Sequence, residues 1–71
     1  MLIVYLPERN DAVRLIFEGG RSIFGNIMNI DEDGAVLVQT TNGNNYIANP
    51  GSLVWDKIER MFNVRAKEVT I

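Results

Sequence analysis

Cysteine and histidine are both absent from this 71-residue chain, and the two absences close several chemical routes. No disulfide can staple the fold, and a zinc site would have to be assembled from carboxylates alone, which is uncommon. Catalysis at neutral pH loses its usual thiol nucleophile and its usual proton shuttle. Ser22 and Ser52 stand without a recognisable base, and neither Gly19-Gly20 nor Pro50-Gly51 belongs to a phosphate-binding loop signature. The chain therefore reads as a non-enzyme, with no cofactor and no metal expected.

Positive charge is missing from the whole middle of the sequence. The basic residues are Arg9, Arg14, Arg21, Lys57, Arg60, Arg65 and Lys67, so residues 22–55 hold none, and the only ionisable acids there are Asp31, Glu32 and Asp33. A net charge of −2 and a pI near 4.9 do not advertise the basic face with which phosphates are usually gripped. Long apolar runs are missing too. The longest, Met1 to Leu6, is too short to span a bilayer and carries no basic segment or small-residue cleavage site. A soluble, cytoplasmic protein with no membrane partner is the expectation.

At 71 residues and 8.0 kDa the chain is read as one domain, 1–71. A core of that size supplies net stability on the order of 3 to 5 kcal/mol. With disulfides and zinc set aside, oligomerisation is the remaining supplement.

What is present is a series of short strands separated by turns. Val13, Leu15 and Phe17 alternate with Arg14, Ile16 and Glu18, the period of a half-buried strand over 13–18, and Gly19-Gly20 supplies the turn. From Arg21 to Asp31 the apolar positions Ile23, Phe24, Ile27, Met28 and Ile30 change face, which predicts a bulge or bend near Gly25. Asp33-Gly34 predicts a type I′ hairpin between strands 22–31 and 35–41. Asn42-Gly43 repeats the signal and returns the chain through Tyr46 to Ala48, and Pro50-Gly51 breaks the ladder. Beyond it, Leu53 to Ile58 is read as a closing strand. The alternative is a helix capped by Ser52 with Val54, Ile58, Met61 and Phe62 on one face. Met1 to Leu6 and Val64 to Ile71 are strand-like as well.

These residues resemble the Sm-like family, over a core of about 12–59. Ile23, Gly25, Ile27 and Asp31 match its first motif, followed by Val36 and Val38, while Ile47, Gly51 and Val54 match its second. The resemblance implies an all-β fold, a small, strongly bent five-stranded antiparallel barrel with extra strand-like termini. It also implies a homo-oligomeric ring in which the fourth and fifth strands of neighbouring subunits pair, through Tyr46, Ile47, Val54 and Trp55. Ring closure has independent support, because unpaired strand edges are a hazard and a closed ring covers them.

Single-stranded RNA is the partner the resemblance implies, with Asp31, Asp33, Asn49 and Gly51 at the binding positions. The sequence departs from the family there. Asp33 stands where a stacking aromatic or His is common, Gly34-Ala35 replaces a Met-Asn pair, and Pro50 replaces a basic residue. Each candidate also has a plain structural reading. Asn in these loops serves turn geometry, Tyr46 and Trp55 suit core or interface, and Asp31-Glu32-Asp33 suits a solvated hairpin tip rather than a cation loop. The basic C-terminal segment, interleaved with Asp56, Glu59 and Glu68, suits surface salt bridging. Two functions follow: a homo-oligomeric ring that binds RNA by a modified site, or an assembly module that engages protein partners and has lost RNA binding.

Overall fold

The computed structural model describes residues 6–70. They form β1 (Ala12–Ile16), β2 (Ser22–Ile30), β3 (Val36–Thr40), β4 (Asn45–Ala48), β5 (Val54–Asp56), β6 (Met61–Arg65) and β7 (Val69–Thr70), with 3-10 turns at Pro50–Ser52 and Ala66–Glu68. All strands join one open sheet in the order β5-β6-β1-β2-β3-β4-β7. The expected all-β class is therefore present, but as a mixed sheet of six strands extended by the two-residue β7, and a five-stranded antiparallel barrel is not what forms. The strand expected over Met1 to Leu6 lies outside the described residues except for Leu6, which is in no strand.

The parallel pairing of β1 with β6 is the feature that an antiparallel meander omits. Val13 pairs with Phe62, Arg14 with Asn63, Leu15 with Val64 and Ile16 with Arg65. That register places Val13, Leu15, Phe62 and Val64 on one face, where they join Ile27, Val36, Val38 and Ala48 in the core. Burial of these side chains is the main stabilising contribution. Trp55 packs beneath the same layer, its ring T-shaped against Phe62 at 5.0 Å between centroids.

The predicted hairpins form with different turns. Asp33 and Asn42 do not have the positive φ that type I′ requires, whereas Gly34 and Gly43 do, at 85° and 89°. In both hairpins the glycine N–H donates to the residue three before it, Asp31 or Thr40. The strands then close through Asp31 N–H to Ala35 O at 3.0 Å and Thr40 N–H to Asn44 O at 2.8 Å. These are three-residue loops with a glycine bulge. The first hairpin follows the same plan, with Phe17 N–H donating to Arg21 O and Gly20 N–H to Phe17 O, so β1 stops at Ile16 rather than at 18.

The face change in β2 is real, but its position is not Gly25. The register slips between Ile27↔Val38 and Asn29↔Leu37, which leaves Met28 as the extra residue and lets both Ile27 and Ile30 turn inward. Gly25 serves close approach instead: a Cβ there would lie 2.6 Å from Gln39 O.

The segment beyond Pro50 is strand, not helix, though shorter than expected, over Val54–Asp56. A tight turn follows, in which Arg60 N–H donates to Asp56 O at 2.7 Å and Arg60 adopts φ 57°. The second strand of that hairpin, β6, contains Met61 and Phe62, which the helical alternative had placed on a helix face.

Candidate functional site

Where the Pro50–Ser52 turn meets the outer side of β5, β6 and β1, a groove of about 430 Å³ opens, lined by Ile16, Gly51, Ser52, Val54, Asn63, Val64 and Arg65. The pairing explains why these side chains meet. Val54 is paired with Asn63 across β5 and β6, and Arg65 with Ile16 across β6 and β1. Ser52 is set by its own backbone, whose N–H donates to Asn49 O at 2.9 Å. A second groove of about 350 Å³ adjoins through Ile16 and Arg65 and adds Phe17, Glu18, Gly20 and Lys67.

The polar centre of this region is Asn63. Its Nδ2 donates to Asp56 Oδ2 at 3.3 Å, while its Oδ1 is buried without a hydrogen-bond partner. Asp56 also accepts the N–H groups of Ile58 at 3.0 Å and Glu59 at 3.1 Å. The Glu59 amide has the largest effect on this carboxyl. Together with the amides of Ile58 and Asn63 and the Arg14 guanidinium, it outweighs desolvation and holds the pKa below the ordinary value. On the other side of Asn63, Arg14 lies over the Phe24 ring at 5.6 Å and pairs with Glu59 at 3.7 Å, and its Nε is buried and unpartnered. The arrangement brings apolar side chains, an amide and two cations, Arg65 and Lys67, to one surface.

The residues singled out from sequence are scattered. Asp31 and Asp33 sit at the β2–β3 turn, away from the groove. Asp31 Oδ1 accepts the N–H groups of Asp33 at 3.0 Å and Ala35 at 2.8 Å, so this carboxylate caps its own hairpin. Asn49 is exposed and contributes its carbonyl to the turn at Ser52, while Gly51 lines the groove. Among the interface candidates, Tyr46 packs against the core, Ile47 is exposed on β4, and Val54 lines the groove beside the half-buried Trp55. β4 and β5 are separated by four strands of the sheet. Ser52, Asn63 and Arg65 as groove residues were missed. Their signal was the alternation of Phe62 and Val64 with Asn63 and Arg65, which marks β6 as a half-buried strand.

The model of the biotin protein ligase C-terminal domain matches residues 10–59, more than two thirds of the chain. The chain belongs to that family. No curated protein and no solved structure matches it. The biotin protein ligase C-terminal domain match begins at the turn before β1 and ends in the turn before β6. It therefore supplies Ile16, Gly51, Ser52 and Val54 of the groove, while Asn63, Val64 and Arg65 lie beyond it.

Membership in this family overturns the resemblance to the Sm-like family and the RNA-binding ring that came with it. Glycine-punctuated hairpins of this spacing belong to small bent sheets in general, so motif positions such as Gly25 and Asp31 were satisfied for local reasons: strand contact and hairpin capping. The RNA role of Asp31, Asp33, Asn49 and Gly51 rested on that resemblance and loses its support. Among the described residues no helix is long and apolar enough to cross a membrane, and no group of three or more acidic, His or Cys side chains is placed to hold a metal ion.

Proposed function

We propose that this chain is a non-catalytic binding module of the biotin protein ligase kind, which works beside a catalytic protein and contributes a ligand groove rather than a reacting group. The observation that carries this reading is the family match over residues 10–59. Composition supports the non-catalytic part, since without Cys or His the chain lacks the side chains that most often serve as nucleophile or base near pH 7. A protein partner in the cytoplasm fits a Cys-free chain of this size.

The test is domain replacement. A biotin protein ligase is deprived of its own C-terminal domain, this chain is fused in its place, and attachment of biotin to an acceptor protein is timed. The expected result is a rate well above that of the truncated enzyme. A folded fusion no faster than the truncated enzyme would refute the proposal.

A further inference from the structure

The β2–β3 and β3–β4 turns each hold a dipeptide that can react with itself, Asp33-Gly34 and Asn42-Gly43. A backbone nitrogen that follows Asn or Asp can close a five-membered ring on the side-chain carbonyl carbon, and glycine, without a Cβ, hinders that approach least. Asn42 is the only asparagine followed by glycine. Asn49 precedes Pro50, whose nitrogen has no proton to lose, and the others precede larger residues. Asn42 and Gly43 are both exposed, so solvent reaches the dipeptide. Asp33 has the same backbone plan but offers a carboxylate, whose negative charge repels a nucleophile that an amide admits.

The closed hairpin restrains both reacting groups. Gly43 N–H donates to Thr40 O at 2.9 Å, and Asn42 Oδ1 accepts from the hydroxyl of the buried Thr40. An amide nitrogen attacks only after its proton is removed, and here that proton is committed to a carbonyl while the turn is closed.

We propose that Asn42 is a self-modifying site whose deamidation is gated by opening of the β3–β4 hairpin. In the open turn Gly43 N bonds to Asn42 Cγ, the Cγ–Nδ2 bond breaks, and the proton lost from Gly43 N leaves with Nδ2 as ammonia. Water then opens the cyclic imide at either carbonyl, which leaves aspartate or isoaspartate at position 42. Each product is one unit more negative than the unmodified chain. The isoaspartate form also carries the backbone through the side chain and adds one carbon to the loop. Both bonds that close the turn, Gly43 N–H to Thr40 O and Thr40 N–H to Asn44 O at 2.8 Å, span that carbon, so the modified hairpin cannot close as before. The reaction is one-way, and the frequency of opening sets its rate.

The experiment incubates the full chain at mildly alkaline pH, in buffer and in guanidinium chloride. After desalting, ion exchange separates the more acidic product, peptide mapping locates it, and isoaspartate is counted by enzymatic methylation. The product is expected to map to Asn42 and to form at least about fivefold faster in denaturant, the factor that corresponds to releasing one hydrogen bond. Ile27→Ala, which removes a core side chain from β2, is expected to bring the rate in buffer close to that in denaturant. Asn42→Gln, which would need a ring one atom larger, is expected to form no such product over the same time. Equal rates in buffer and denaturant would remove the hairpin as the gate. An acidic product that maps to another asparagine or persists in Asn42→Gln, or no product at Asn42 in either condition, would overturn the site.

Discussion

Asn63 on β6 donates its Nδ2 to Asp56 Oδ2 on β5 at 3.3 Å, so the carboxylate that caps the β5–β6 turn also orients the amide of the groove. The three N–H groups that the Asp56 carboxylate accepts, from Ile58, Glu59 and Asn63, are accepted best while it is ionised. The Glu59 amide, followed by those of Ile58 and Asn63 and the Arg14 charge, lowers its pKa relative to the unfolded chain. A depressed carboxyl contributes stability that is present above the unfolded pKa of about 4 and is lost as pH falls through the lower folded value. Asp56→Asn should therefore lower the melting temperature at pH 7, and the gap from the unmodified chain should close on acidification below about pH 4. Thermal melts at pH 7, 4 and 2.5 read this directly. A gap that is constant with pH would show that Asp56 acts through shape alone.

Gly25 and Gln39 lie closer than any side chain allows. An added Cβ would sit 2.6 Å from Gln39 O and 3.1 Å from Thr40 Cα, and both are backbone atoms of a paired strand. Gly25→Ala must therefore push β2 from β3 in the middle of the sheet, at a cost of about 1 to 3 kcal/mol by analogy with overpacked cores. Urea unfolding followed by circular dichroism should show the midpoint fall. An unchanged midpoint would mean that the strands separate freely at this point.

The core leaves little margin for deletion. Ile27 is fully buried among Val13, Leu15, Val36 and Val38, and truncation of such a side chain costs about 2 to 5 kcal/mol. Net stability of a domain this size is on the order of 3 to 5 kcal/mol. Ile27→Ala is thus expected to populate the unfolded state heavily at 25 °C, visible as collapsed amide dispersion. The exposed neighbour Met28 occupies the bulge, and Met28→Ala should leave the spectrum dispersed.

Which parts of this molecule could be read from its residues follows from the range of the forces involved. Alternation at Val13 and Leu15 and the glycines at 34 and 43 report local geometry, and the strands and hairpin sites they mark are present. The turn type was misjudged because type I′ and glycine-bulge loops share Asp-Gly and Asn-Gly, and only the φ of Asp33 and Asn42 separates them. The β1–β6 pairing was out of reach, since no local signal tells Phe62 to lie beside Val13, forty-nine positions earlier in number. The groove depends on that pairing, so Asn63 and Arg65 stayed hidden among the basic C-terminal residues. Asp31 shows the opposite error: a motif position was given a ligand role when its carboxylate was holding the Asp33 and Ala35 amides.

That reassignment of Asp31 is itself testable. Asp31→Ala removes the acceptor of two backbone N–H groups at the β2–β3 turn, and should cost about 1 to 2 kcal/mol on the scale of hydrogen bonds to an exposed charged group. Gly34→Ala forces a side chain into φ 85° and should cost a similar amount, about 1 to 2 kcal/mol. Chemical denaturation of the two variants, alone and combined, checks both. Because they act on one turn, the double mutant should lose less than the two losses together.

The last prediction concerns the strand edge. β4 would end the sheet if β7 did not pair with it through Ile47↔Thr70 and Ala48↔Val69, and Ile47 is an exposed apolar side chain beside that edge. Uncovered edges template association with other chains. Val69→Pro removes the N–H that donates to Ala66 O where β7 leaves the Ala66–Glu68 turn, and its ring restrains φ to about −65° where Val69 has −116°, so β7 should detach. Val69→Ala keeps the N–H and trims only the side chain. Light scattering after size exclusion is expected to show a concentration-dependent increase in mass for Val69→Pro and not for Val69→Ala. Equal masses for the two variants would mean that β7 is not what protects β4, and that the sheet tolerates an open edge at Asn45–Ala48.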